Sequence, residues 1–130
     1  MNTNVVRAVG AAVLATSISG PALAAQAQEP LVRIAELEID PAQVAVYQAA
    51  LKEEIDASVR VEPGVLAIYA VAEKDHPNRF RFFEIYADDA AYRKHIDSPH
   101  FRKYAEATKS MIVSKKLIDT VPVMLGAKPK

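Results

Sequence analysis

The sequence predicts an α+β domain of ferredoxin-like type, with one antiparallel sheet and its helices packed on one face. Three observations carry this. Segments of strand and helix character follow in the order strand, helix, strand, strand, broken helix, strand. The two middle strands are joined by a short polar loop, 73–78, which favours an antiparallel hairpin. The chain of 130 residues is 51% hydrophobic and 25% charged, enough for one folded domain and too apolar for wholesale disorder.

Residues 1–24 read as a secretory signal peptide. Arg7 gives a short positive start, Ala8–Ile18 is an apolar run, and Ala22-Leu23-Ala24 sets small residues where a signal peptidase reads. The run is too short for a membrane span, which needs about 20 residues. The expected location is periplasmic or secreted, with no membrane insertion after cleavage near Ala24. Residues 25–30 then form a short linker, 31–124 the folded domain and 125–130 a flexible tail.

Val32–Ile39 is β-branched and strand-like, and Asp40-Pro41 ends it while starting a helix as N-cap and first-turn proline. Val44, Tyr47, Leu51, Ile55 and Val59 recur every three or four residues and predict one apolar face on a helix of about 18 residues. Glu62-Pro63-Gly64 is a turn. Strands follow at Val65–Ala72 and Arg79–Ala87. Asp88 caps a helix carrying Ala91, Tyr92, His95 and Ile96; Ser98-Pro99 restarts it with Phe101, Tyr104, Ala105 and Thr108 on one side. Strand character returns over Met111–Val123.

Alternation in the strands gives a further expectation. Phe80, Phe82, Glu84 and Tyr86 share one face of their strand, while Phe83, Ile85 and Ala87 share the other. In the preceding strand Val65, Ala67, Tyr69 and Val71 oppose Leu66, Ile68, Ala70 and Ala72. Both faces are apolar, and helices on one side cover only one of them. The other is expected to meet the same sheet of a second copy, giving a homodimer.

Composition excludes several functions. Sixteen basic and 16 acidic residues give a net charge of zero, so no electrostatic footprint points to nucleic acid. Absence of cysteine removes disulfides, thiol nucleophiles, iron–sulfur clusters and cysteine-ligated zinc. Four glycines leave no room for a glycine-rich phosphate loop, and no Ser-His-Asp set stands out. No cofactor is expected. The candidate catalytic residues are Glu84, His95 and His100. Glu84 lies among Phe82, Phe83, Ile85 and Tyr86, where burial raises a carboxyl pKa and fits it to proton transfer. His95 and His100 flank the helix break that follows the Glu84 strand, and histidine suits acid–base work near neutral pH. Their spacing of five across a proline break does not put both on one helical face, so no metal site is expected. Tyr69, Tyr86, Phe82, Phe83 and Tyr104 are candidates to bind a planar aromatic substrate.

The run 62–101 resembles the antibiotic biosynthesis monooxygenase family, whose members include proteins described as quinol monooxygenases. The carrying residues are Glu62-Pro63-Gly64-Val65-Leu66, Tyr69, Phe83-Glu84-Ile85-Tyr86, Asp88-Asp89-Ala90-Ala91, His95 and Ser98-Pro99-His100-Phe101. The likeness extends more loosely over 32–58 and 111–121. It implies a dimeric α+β barrel and oxygen chemistry on quinol or other phenolic molecules, with O2 as co-substrate and without metal or flavin. In that scheme His95 or His100 is the base, Glu84 fixes its tautomer, Tyr69 and Tyr86 hold oxygens, and Phe82 or Phe83 walls the site. The same barrel also hosts haem degraders, which typically use a tryptophan that this sequence lacks, and small-molecule isomerases. A non-catalytic dimeric ligand-binding or stress protein is the alternative from another class.

Overall fold

The structure is a computed structural model and describes residues 29–130. The expected signal peptide and most of the linker lie outside the described residues. In order, the elements are β1 (Leu31–Ile39), a 3-10 turn (Pro41–Gln43), α1 (Val44–Val61), β2 (Val65–Ala72), β3 (Arg79–Tyr86), α2 (Asp89–Asp97), α3 (Pro99–Thr108) and β4 (Ile112–Asp119). The strands form one sheet in the order β2-β3-β1-β4, every neighbouring pair antiparallel. This is the ferredoxin-like α+β fold. No helix of the described residues is long and apolar enough to cross a membrane.

The polar residues at the element ends act as expected. Asp40 caps the 3-10 turn by accepting from the Ala42 amide at 3.0 Å, and the Gln43 side-chain amide donates to the Asp40 carboxylate at 2.9 Å. Asp88 accepts from the Ala91 amide at 2.7 Å, and the Ser98 hydroxyl accepts from Phe101 at 3.2 Å. β4 is shorter than its sequence suggests. It ends at Asp119, ahead of Pro122, and the chain beyond has no regular structure.

Two expected faces are corrected. On α1 the buried residues are Tyr47, Leu51, Glu54 and Ser58, and Val59 is 51% exposed. Each four-residue step turns a helix by about 400°, so the stripe drifts and Ser58 replaces Val59. In β2 the register shifts between Val65 and Ala67, which pair with Tyr86 and Ile85. The irregularity puts Val65 on the same face as Ile68 and Ala70, opposite Ala67, Tyr69 and Val71.

The core lies between the sheet and the helices. Ala35, Leu37, Ile39, Phe80 and Phe82 meet Tyr47 and Leu51 of α1, with Tyr104 of α3 packed against them. A second cluster joins Val65, Ile68 and Tyr86 to Ala91 and Tyr92 of α2. The far face of the sheet carries Tyr69 at 62% and Phe83 at 38% exposure.

Candidate functional site

Strand alternation brings Phe80, Phe82, Glu84 and Tyr86 to the helix side of β3, as the sequence implies. Beside them, between the sheet and α3, lies a cleft of about 280 Å³. Phe82 and Glu84 contribute from β3, Phe101 and Tyr104 from α3, and Leu117 from β4; Lys109 and Lys115 also line it. Glu84 is the only carboxylate among the lining residues.

Burial pushes the Glu84 carboxyl above its ordinary range. The Tyr86 hydroxyl opposes this by donating to Glu84 Oε2 at 2.8 Å, and the nearby charges of His95 and Arg33 also favour the anion. Arg33 sits opposite Glu84 in the β1–β3 register and is held by Tyr92 and Asp119. Glu84 therefore combines a place in the cleft lining with a carboxyl of raised basicity. Tyr104 carries a hydroxyl bonded to Tyr47 at 2.7 Å, and burial pushes its phenol up to about 12, so it is a neutral hydrogen-bonding group near neutral pH.

The histidines lie behind this cleft. His95 of α2 is 3% exposed, and its ring stands 5.0 Å from Phe101 and 5.3 Å from Tyr86. Pro99 lacks an amide hydrogen, so a new helix starts there and changes direction. That change brings His100 to the same carboxylate as His95. Glu62 Oε2 lies 2.9 Å from His95 Nδ1 and 2.6 Å from His100 Nε2. On the other side of the His95 ring, Nε2 is 3.5 Å from Glu54 Oε1, which accepts from the Ser58 hydroxyl at 2.6 Å. Burial pushes the Glu62 carboxyl up, but the bonds from the two histidines outweigh it and hold it below its ordinary value. For Glu54 burial wins and the carboxyl is raised.

Several site expectations change. Among the described residues no hydrogen bond joins Glu84 to a histidine; Glu62 and Glu54 orient His95 instead. The two histidines that flank the helix break, which their spacing does not put on one helical face, meet at the Glu62 carboxylate. Tyr69 and Phe83 pair across β2 and β3 on the far face of the sheet, so neither shares the cleft with Glu84 of the same chain. Phe82, Tyr104 and Glu84 line it, and Tyr86 lies beneath Glu84. Glu54 and Ser58 escape a reading by apolar periodicity because they are polar, although they continue the stripe of Tyr47 and Leu51.

The model of the antibiotic biosynthesis monooxygenase family matches residues 30–107. The chain belongs to this family. A protein of Bacteriodes thetaiotaomicron VPI-5482, provisionally named an antibiotic biosynthesis monooxygenase, is 51% identical. The match covers 80% of this chain and 99% of that one, with a TM-score of 0.76. A provisionally named monooxygenase of Lactobacillus acidophilus NCFM is 32% identical with a TM-score of 0.67, over 68% of this chain and 42% of that one. An uncharacterized protein of Synechocystis is 26% identical over 86 residues, or 66% of this chain; the match spans 58% of that relative's length.

Proposed function

We propose that the protein is an exported monooxygenase of small phenolic or quinol-like molecules that works without a redox cofactor, as a sheet-to-sheet homodimer. The observation that carries this reading is the cleft: aromatic walls, one carboxylate of raised basicity, and two lysines among its lining. Membership of the family supports oxygen chemistry.

In the proposed reaction Glu84 takes the phenolic proton, and a cation beside the cleft, Lys109 or Lys115, stabilises the phenolate. A phenolate is rich enough to pass one electron to O2. Recombination of the two radicals forms a bond between a ring carbon and oxygen, leaving a peroxide. The O–O bond then breaks as the ring hydrogen leaves as a proton, the carbon becomes a quinone carbonyl, and the distal oxygen departs as hydroxide. Hydroxide gains a proton to become water. One oxygen atom enters the product and the other ends in water, so the electrons come wholly from the substrate. Leu37, Phe82, Phe101 and Leu117 supply the dry wall that protects the anion from solvent. An isomerase of sugar-like molecules would need more polar partners than this lining provides.

Dimerisation is supported by the apolar far face, where Tyr69, Val71 and Phe83 are exposed. Export is supported by the pattern of residues 1–24. The test of the activity is O2 uptake by the purified protein with a panel of hydroquinones and naphthohydroquinones, against auto-oxidation and a Glu84→Gln variant. Uptake that the variant lacks supports the reading. Uptake equal in both, or no uptake, overturns it.

A further inference from the structure

The cluster behind Phe101 is not used by the proposed reaction. It gathers Glu62 from the exit of α1 with His95 of α2 and His100 of α3, which lie 33 and 38 residues further along the chain. One donor atom from each side chain lies within 4.8 Å of the other two. All three side chains are largely buried, at 14%, 4% and 18% exposure. We propose that Glu62, His95 and His100 form a binding site for a divalent transition metal ion of the zinc type.

The donor set selects the class of ion. Two imidazole nitrogens and one carboxylate oxygen suit zinc, cobalt, nickel or copper, whereas magnesium and calcium prefer oxygen alone. Two of the three donor separations are already close to what a metal needs, and the third is within 4.8 Å. Zinc bonds of about 2.1 Å in tetrahedral geometry put neighbouring donors roughly 3.4 Å apart. The two His–Glu62 distances, 2.6 and 2.9 Å, need to open by less than about 1 Å.

A second observation is independent of those three atoms. With Nδ1 turned to Glu62, His95 presents Nε2 to Glu54 at 3.5 Å, and the Ser58 hydroxyl holds Glu54 in place. A ligating histidine whose other ring nitrogen faces a fixed carboxylate is the usual support of a protein metal site. The Glu54 carboxylate would also balance the charge that a divalent ion leaves beside a single Glu62. Access exists between α1 and α3, where a cavity of about 60 Å³ is lined by Glu54 and His100. Because the ligands come from three elements, binding would tie the ends of α1, α2 and α3 together and raise thermal stability.

The experiment is titration of the chelator-treated, dialysed full-length protein with Zn2+ by calorimetry and with Co2+ by visible absorption, alongside melting curves. Expected are saturation at one ion per chain, Co2+ bands of a four- or five-coordinate N/O site, and a melting temperature that rises with Zn2+ but not with Mg2+. His100→Gln, at the most exposed ligand, should abolish these effects while the far-ultraviolet spectrum is kept. Glu54→Gln should weaken binding by about 10- to 100-fold. His76→Ala, in the exposed loop before β3, should change nothing. No saturable binding to folded wild-type protein, binding matched by Mg2+, or binding retained in both His100→Gln and Glu62→Gln overturns the proposal.

Discussion

Phe101 separates two regions that treat the same chemical group in opposite ways. On one side it lines the cleft that holds Glu84; on the other its ring faces His95 of the Glu62 cluster. Glu84 and Glu62 are both partly buried glutamates. Glu84 has one hydroxyl donor, and burial raises its carboxyl. Glu62 has two imidazole partners on a single oxygen, and its carboxyl is lowered. Glu84 is the more deeply buried and has the fewer donors, and the two differences act in the same direction. On the proposed reading, the carboxylate that acts as base has one donor, and the one in the histidine cluster has two partners.

The largest test of that contrast is Glu84→Gln. It should reduce quinol-dependent O2 uptake by about 10²- to 10⁴-fold, as loss of a general base does, while the melting temperature is kept or raised. The raised carboxyl gives the sign of the stability effect. Folded protein holds this proton at pH values where the unfolded chain has lost it. Wild-type stability relative to the variant should therefore fall as pH rises from the ordinary glutamate range through the folded value. Urea unfolding at several pH values checks this.

His95→Ala should do the reverse, with its first effect on stability. It leaves Glu62 and Glu54 without their shared partner, at a cost of about 3 kcal/mol or more in denaturant midpoint measurements. Phe101→Ala breaks the partition itself. Truncating this half-buried ring should cost about 2 kcal/mol and lower both turnover and thermal stability, measured on one preparation. If only one readout moves, the two regions are more separate than the shared ring implies.

The smallest effect is expected from Tyr86→Phe. Losing the donor to Glu84 removes a bond that favours the anion, so the acid limb of the pH–rate profile should move to higher pH. His95 from α2, Arg33 from β1 and Glu54 from α1 also act on this carboxyl and stay in place. A limb that moves to lower pH would refute the assignment of Glu84 as the titrating base.

Local signals made the frame of the fold legible. Asp40, Asp88 and Ser98 each mark a helix start through a side chain and an amide two or three residues away, and period-two alternation puts Glu84 and Tyr86 on the core face. What escaped depends on distance or on polarity. Glu62 reads as part of a turn because its partners lie 33 and 38 residues away. Glu54 and Ser58 sit on the core stripe of α1 but carry oxygen, so a search for apolar repeats passes over them. The register shift after Val65 rests on pairing with β3, and nothing local to β2 announces it. The meeting of the histidines depends on the angle between α2 and α3, which spacing alone does not set.

Gly64 bears on all of this through a single contact. A Cβ built there would stand 2.5 Å from the Ala91 Cβ, so the turn after Glu62 and the first turn of α2 touch through the two smallest side chains available. The pair works as a fixed spacer. Glu62 lies two residues before one member and His95 four residues after the other, so the thickness of that contact gauges how far the carboxylate stands from the imidazole. A single methyl added here would lengthen a lever whose far end is the cluster, and the molecule's tolerance for polar rearrangement is thus set by an apolar contact with no chemistry of its own.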